Sequence, residues 1–435
     1  MTWIASGSFL IGMVLLAMAS SMPVAFAFLL ANVIGAVVFL GGAAGIEQLV
    51  ANMTTSITSF TLVTIPLFIL MGELFFHTGI AQRVFDVLDK IFGRLPGRLS
   101  YMTVTGGTLF ATLSGSSLAN TALLGSSLLP EMKARGYQDR LSMGPIMACG
   151  GLAIVIPPSG LAVLLGSLAH LDIGALLLAG LVPGLLLAGL YAAVVFITVR
   201  LNPDAAPGYE VQPVGAARML GMICGTLLPM LGVVAMVVGL IVLGIATPTE
   251  SAAFGVLGVL IVAALFRSLS LGAIRLSLIG TVRVSGMIFL IIIGSSSFSQ
   301  LLAFSGASAG LIGWATSLQV APLVILAAMF AVLLLLGLFM ESASIMLLTV
   351  PIFFPLAQGL GFDPIWFGVV VLVALEIGLV TPPFGLSLFV MLGVAPKGTT
   401  LKQVSLAVLP YLGCMLVLLL LLVVFPGLTG LLRAG

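Results

Sequence analysis

The sequence predicts an all-α integral membrane protein built from two inverted-topology repeats, each with five spans and one re-entrant helical hairpin. Three observations carry this. Apolar runs of span length recur along the chain, basic residues sort to one side of them, and one offset of 225 residues relates the two halves.

The apolar runs follow from composition. Of 435 residues, 61% are hydrophobic and 6% charged, where a soluble domain carries about a quarter charged. A bilayer core takes about 20 apolar residues per helix. Runs near 4–20, 23–42, 49–76, 141–169 and 174–199 reach that length, as do runs near 219–244, 249–266, 284–303, 363–394 and 402–424. The chain therefore divides into a first repeat over 1–200, a polar, Pro-containing cytoplasmic linker over 201–218 and a second repeat over 219–435. Residues Met1 to Ser20 lack a basic leader and run on into apolar sequence, so they read as a span and not as a cleaved signal.

The same residue inventory excludes several function classes. Fifteen Lys+Arg against thirteen Asp+Glu leave +2, with no basic patch for nucleic acid. Cys149, Cys224, Cys414, His77 and His170 lie far apart, so no transition-metal site or disulfide framework is expected. No nucleotide-binding GxxxxGK[ST] or zinc HExxH sequence occurs, and the chain is not read as an enzyme.

Charge sets orientation. Basic residues cluster at Arg83–Arg98, Lys133–Arg140, Arg200 and Arg218, Arg267–Arg283, and Lys397 with Lys402. Basic loops stay in the cytoplasm. One topology, with both termini on the outer side, places fourteen of the fifteen inside and leaves only Arg433 out. It also leaves two apolar segments whose flanks share a side. Residues 99–131 break at Ser114-Gly115-Ser116-Ser117, and residues 320–355 break near Met340-Glu341-Ser342. Each is read as a hairpin that enters and leaves by one face, since backbone breaks at membrane depth persist only when buried in protein or facing water.

The repeat is visible as matched pairs at the 225-residue offset. Pro23 pairs with Pro248, Ser117 with Ser342, Pro130 with Pro355, Gly136-Tyr137 with Gly361-Phe362, and Pro157-Pro158 with Pro382-Pro383. Five spans are an odd number of crossings, so the halves are expected to be inverted. Broken helices then meet near mid-membrane, as in secondary transporters.

The breaks supply oxygen ligands. Consecutive prolines leave upstream carbonyls without helical partners, and such carbonyls beside hydroxyls suit sodium. One sodium site is expected from Ser114, Ser117, Gly151, Ile154 and Pro157, and its mate from Gly337, Ser342, Gly378, Thr381 and Pro382. The same small residues would also permit close helix packing. No Lys or Arg lies in the breaks, so a substrate carboxylate would rest on helix N-termini and on Ser116, Asn120, Thr121 and Ser159, with Glu341 beside it. Glu341 and Glu376 are candidates for tuning cation affinity or carrying a proton, while Glu73, Glu250 and His77 read as interfacial. An amphipathic stretch over 81–92, with Val84, Val87, Leu88 and Ile91 on its apolar face, is expected to brace the first hairpin, and 306–318 the second.

The runs SGSSLANTALLGSSLLPEMKARGY, IPPSG, GIATPTESAAFG, FMESASIMLLTVPIFFPLAQGLGFDP and IGLVTPPFGLSLFV resemble the large membrane subunit of tripartite ATP-independent periplasmic (TRAP) transporters, over nearly the whole chain. The resemblance implies an elevator-type, sodium-driven importer of carboxylates such as C4-dicarboxylates or sialic acid, in a bacterial inner membrane. Sodium would be its coupling ion, with no other cofactor. It implies two protein partners within the lipid-embedded assembly, a small four-helix membrane subunit and a periplasmic substrate-binding protein. Because the chain opens on a span, the small subunit is expected to be a separate polypeptide. The family's sodium pattern falls on Ser114, Gly151, Pro157, Gly337, Gly378 and Thr381. The alternative is a stand-alone sodium- or proton-coupled dicarboxylate symporter.

Overall fold

The structure, a computed structural model, describes residues 2–93, 95–114, 117–207, 215–318 and 320–431, without the side chains of 110–114 and 216. Among the described residues every regular element is helical. The first half runs α1 (Trp3–Ala19), α2 (Val24–Phe39), α3 (Ala43–Ile57), α4 (Thr64–His77), α5 (Ile80–Phe92), α6 (Arg98–Ser114), α7 (Ser117–Ala134), α8 (Asp139–Val155), α9 (Gly160–Leu168) and α10 (Ile173–Leu201). The second half runs α11 (Ala216–Met222), α12 (Leu228–Val242), α13 (Pro248–Leu265), α14 (Leu271–Phe304), α15 (Ala307–Ser317), α16 (Pro322–Gly337), α17 (Ser342–Gly359), α18 (Pro364–Val380), α19 (Leu386–Val394) and α20 (Leu401–Val424). Linker residues 208–214 fall outside the described set.

Element boundaries repeat at the offset read from sequence. Helices α7 and α17 begin 225 residues apart, and α8 and α18 both begin and end 225 apart. The turns between them match as well. Gly136 has φ 80° and Gly361 φ 84°. Tyr137 N–H donates to the carbonyl of Met132 at 3.0 Å, and Phe362 N–H to that of Ala357 at 3.1 Å. Both helices thus end in a left-handed glycine cap that satisfies carbonyls left over at the helix terminus.

Span lengths depart from the sequence expectation of ten. Seven described helices are long and apolar enough to cross a bilayer, or eight with α8 and α9, bent by 44°, taken as one. Helices α1, α2, α16 and α18 are apolar but shorter. The run expected as one span over 49–76 is two helices, α3 and α4, separated by residues 58–63. Pro66 has no N–H to offer the turn before it and its ring crowds that turn. The counterpart of Pro66 at the same offset is Ile291, and α14 holds no proline across its 34 residues. It therefore continues unbroken for about 50 Å, at about 1.5 Å per residue, where the sequence suggested a span over only 284–303.

Packing separates two bodies. Helix α4 lies against α13 and α14, with α2 on α14, α12 on α13 and α1 on α2. In the other body α8 is surrounded by α6, α7, α10 and α20, and α18 by α16, α17 and α20. Every residue of α8 from Leu141 to Val155 and of α18 from Ile365 to Val380 is buried. Helices apolar on all sides belong in such a centre.

The amphipathic arm is α5, which lies against α6 and buries Ile80, Ala81, Val84, Val87 and Leu88. Ile91, expected on that face, is exposed, while the next residue, Phe92, stacks on Tyr101 of α6. Arg98, at the start of the hairpin, reaches back to Asp89 at 3.1 Å and to the carbonyl of Gly93 at 3.0 Å. Burial raises the Asp89 carboxyl above its ordinary range, and the Arg98 charge opposes the rise. The second arm, α15, packs on α1 and α17.

The matched caps are testable. Gly136→Val and Gly361→Val each force a side chain into the left-handed region and should cost about 1–2 kcal/mol, read as a lowered unfolding temperature in detergent. Gly189→Ala, where a Cβ would meet nothing within 4 Å, should leave that temperature unchanged or raise it.

Candidate functional site

Helix N-termini converge on one cavity. A space of about 800 Å³ lies between the two bodies, lined by Ser117 to Asn120 of α7, Gly160 and Leu161 of α9, and Ser342 and Ala343 of α17, with Glu341 and Pro158 beside them. Helix α9 opens on Ser159 as N-cap, and α7 and α17 open at Ser117 and Ser342. All three first turns therefore point the positive end of a helix dipole toward the same space. The facing wall comes from the other body, through Phe68, Ile69, Gly72, Glu73 and His77 of α4 and Val284, Met287 and Ile288 of α14.

The second half's break is held by backbone contact. Gly337, the last residue of α16, packs on Gly378 so closely that a Cβ on Gly337 would stand 2.6 Å from the Gly378 Cα. Thr381 donates from Oγ1 to the carbonyl of Ile377 at 2.5 Å, and α18 ends beside it. Pro382-Pro383 follows as a cis peptide, as does Pro157-Pro158 after α8. Ser342 is buried, and its Oγ has no partner among the described residues. Gly337, Gly378, Thr381 and Pro382 thus cluster at the junction of α16 and α18, and Ser342 starts the helix beside them.

The first half is arranged differently. Ser117 Oγ donates to Glu376 Oε1 at 2.8 Å, and Gly151 lies directly against the Glu376 side chain. The carbonyl of Ile154 accepts from Ser159 Oγ at 2.7 Å, and the same hydroxyl accepts from Ala162 N–H at 3.2 Å. Ser159 is therefore spent on capping α9, is fully buried, and does not line the cavity. Thr121 is also fully buried and away from the lining. Asn120 does face the cavity, donating from Nδ2 to the carbonyl of Cys149 at 3.1 Å. Gly115, Ser116 and the Ser114 side chain, all singled out from sequence, lie outside the described residues.

Glu73 and His77, read from the sequence as interfacial, line the cavity, with His77 Nε2 and Glu73 Oε2 3.2 Å apart. Their four-residue spacing puts both on one helix face, a signal the sequence contained. Which body that face meets was decided by packing. A second cavity, of about 690 Å³, sits at the opposite end of α4, where Thr64 lines it with Asn52, Ser56, His170, Asp172, Thr249 and Gln300.

Comparison with known proteins agrees with this architecture. The family described as "Tripartite ATP-independent periplasmic transporter, DctM component" matches residues 11–428. A C4-dicarboxylate TRAP transporter large permease of Pseudomonas aeruginosa is 33% identical over 387 residues, covering 88% of each chain. A sialic acid TRAP transporter large permease of Vibrio cholerae is 31% identical over 417 residues, covering 95% of each. Among solved structures, the YdaH transporter of Alcanivorax borkumensis superposes with a TM-score of 0.63 over 90% of this chain and 91% of that one, at 16% identity, which speaks to the fold alone. The relatives are transport permeases and not enzymes, and an all-helical, multi-pass membrane chain carrying the DctM signature from residue 11 to 428 belongs to the large membrane component of the TRAP transporters.

Proposed function

We propose that this chain imports an organic acid across the bacterial inner membrane as the large subunit of a TRAP transporter, driven by sodium. One observation carries the reading, the convergence of three helix N-termini on a single cavity beside two proline-broken helices. The positive ends of helix dipoles suit a carboxylate, and unwound carbonyls beside hydroxyls suit sodium without a fixed charge. The relatives named for C4-dicarboxylate and sialic acid transport support the carboxylate class.

Sodium would sit at the second break on Gly337, Ser342, Gly378, Thr381 and Pro382, and at the first on Ser114, Gly151 and Pro157 with neighbouring groups. The substrate would meet Asn120, Glu341 and the tip residue Ser116. Basic clusters retained in the cytoplasm place both termini outside and turn the His77 end of the cavity inward. In this orientation the two cavities at opposite ends of α4 are the inner and outer clefts of an elevator, the body holding α8 and α18 moving past the body holding α4 and α14. A small four-helix membrane subunit and a periplasmic binding protein would complete the system. The stand-alone symporter is not favoured, since the named relatives are subunits of TRAP systems.

Three outcomes follow. Ser114→Ala and Thr381→Ala should each raise the sodium concentration for half-maximal uptake about tenfold, the effect of losing a ligand worth about 1.4 kcal/mol, with little change in unfolding temperature. Sodium activation unchanged in both removes the site assignment. Cysteine at the exposed position Asp204 should react with an impermeant thiol reagent only from the cytoplasm, and cysteine at Asp172 only from outside. The reverse pattern would invert the orientation. Proteoliposomes holding this chain alone should take up no substrate, and uptake should appear once the small subunit and loaded binding protein are added.

A further inference from the structure

The cavity between the two bodies offers a ligand two kinds of group. The starts of α7, α9 and α17 present positive dipole ends, which suit an acid group. Hydrogen-bond acceptors stand beside them. Glu341 lines the cavity from the residue before α17, and Asn120 from the first turn of α7. Among the described residues no Lys or Arg lines this space, and its charged or ionisable side chains are Glu73, His77 and Glu341.

Asn120 is 1% exposed. Its Nδ2 donates to the carbonyl of Cys149 at 3.1 Å, which fixes the amide so that Oδ1 is the atom left over. That oxygen is buried and has no partner among the described residues. A buried acceptor without a donor is costly until a ligand or water supplies one. A substrate carboxylate cannot, because it only accepts. Ser342 Oγ, buried, unpartnered among the described residues and on the same lining, can serve either kind of group.

Glu341 adds charge to the same demand. It stands at the N-cap position of α17 yet makes no side-chain cap bond. Ser344, one turn on, hydrogen-bonds to it, which leaves acceptor sites on a carboxylate that has about four. Glu73, by contrast, is already paired with His77 at 3.2 Å and lies against Gly280 of α14. Glu341 is thus the carboxylate left to a ligand, in a space otherwise walled by side chains such as Phe68, Ile69, Met287 and Ile288. A second negative charge brought beside it there would be repelled more strongly than in water.

We propose that the substrate is a zwitterion of the amino-acid type, an acid that also carries a protonated nitrogen bearing N–H groups. Its carboxylate lies at the helix starts, and its nitrogen donates to Glu341 and to Asn120 Oδ1. A dicarboxylate would set its second carboxylate against Glu341 and leave Asn120 Oδ1 without a donor. Sodium at the breaks would offset charge but has no hydrogen to donate. The proposal rests on the organic-acid reading of this cavity and narrows it to one class of acid.

The test needs no prior choice of substrate. Cells carrying the complete transporter, and cells carrying the same system without this chain, are fed a rich hydrolysate, and the compounds that only the first accumulate are identified by mass spectrometry. The expected compound holds both a carboxylate and a protonated amine or amidine. An acid without such a nitrogen overturns this proposal and leaves the organic-acid reading standing. A compound with no acid group, or no accumulation at all, overturns both. Glu341→Gln, which removes the charge at nearly constant shape, should then raise the concentration of that compound for half-maximal uptake about tenfold to a hundredfold, the effect of losing a charged hydrogen bond. For a dicarboxylate the same variant would lower it. An unchanged or lowered value in an assembled Glu341→Gln overturns the proposal, and if that variant does not assemble, the class of the accumulated compound decides alone.

Discussion

A backbone that leaves the helix inside a membrane must find partners within the protein, since lipid offers none. The centre of this fold answers that constraint. Helices α8 and α18 stop where consecutive prolines follow, and both are wrapped on every side by hairpins and by α10 or α20. Ser159 returns its hydroxyl to the carbonyl of Ile154, and Thr381 returns its own to Ile377. The helices can break only because their neighbours supply what water would have supplied.

Small residues make that enclosure close. Gly337 and Gly378 bring two backbones into contact, and Gly151 admits the side chain of Glu376. Association of helices in lipid depends on such fit more than on apolar burial. The two junctions are related in sequence yet differ in chemistry. The second is lined by backbone, whereas the first holds a carboxylate that hydrogen-bonds across the repeat boundary to Ser117. A cavity built from both is consequently not symmetric, although α7 and α17, and α8 and α18, start 225 residues apart.

Division into two bodies relates packing to transport. The wall from α4 and α14 contributes Phe68, Ile69, Met287 and Ile288, with Glu73 and His77 at its end, while the opposing wall carries the three helix starts. The proline break between α3 and α4, absent from α14, puts Ser59, Thr61 and Thr64 at the far cavity.

Much of this was legible in the chain. Apolar runs, the 225-residue offset and the two hairpins follow from residue spacing, because helix period and proline chemistry are local. Breaks at Ser114–Ser117 and Met340–Ser342, and the glycine caps at Gly136 and Gly361, fall where local chemistry places them. Tertiary structure decided which side chains share a space. It turned Thr121 and Ser159 into the packing, brought Glu73 and His77 to the cavity, and set Glu376 on Ser117 across 259 residues of sequence. The sequence determined where the helices begin and fail. Which helix fills the gap left by a distant glycine depends on three-dimensional fit between the halves, and no local pattern encodes it.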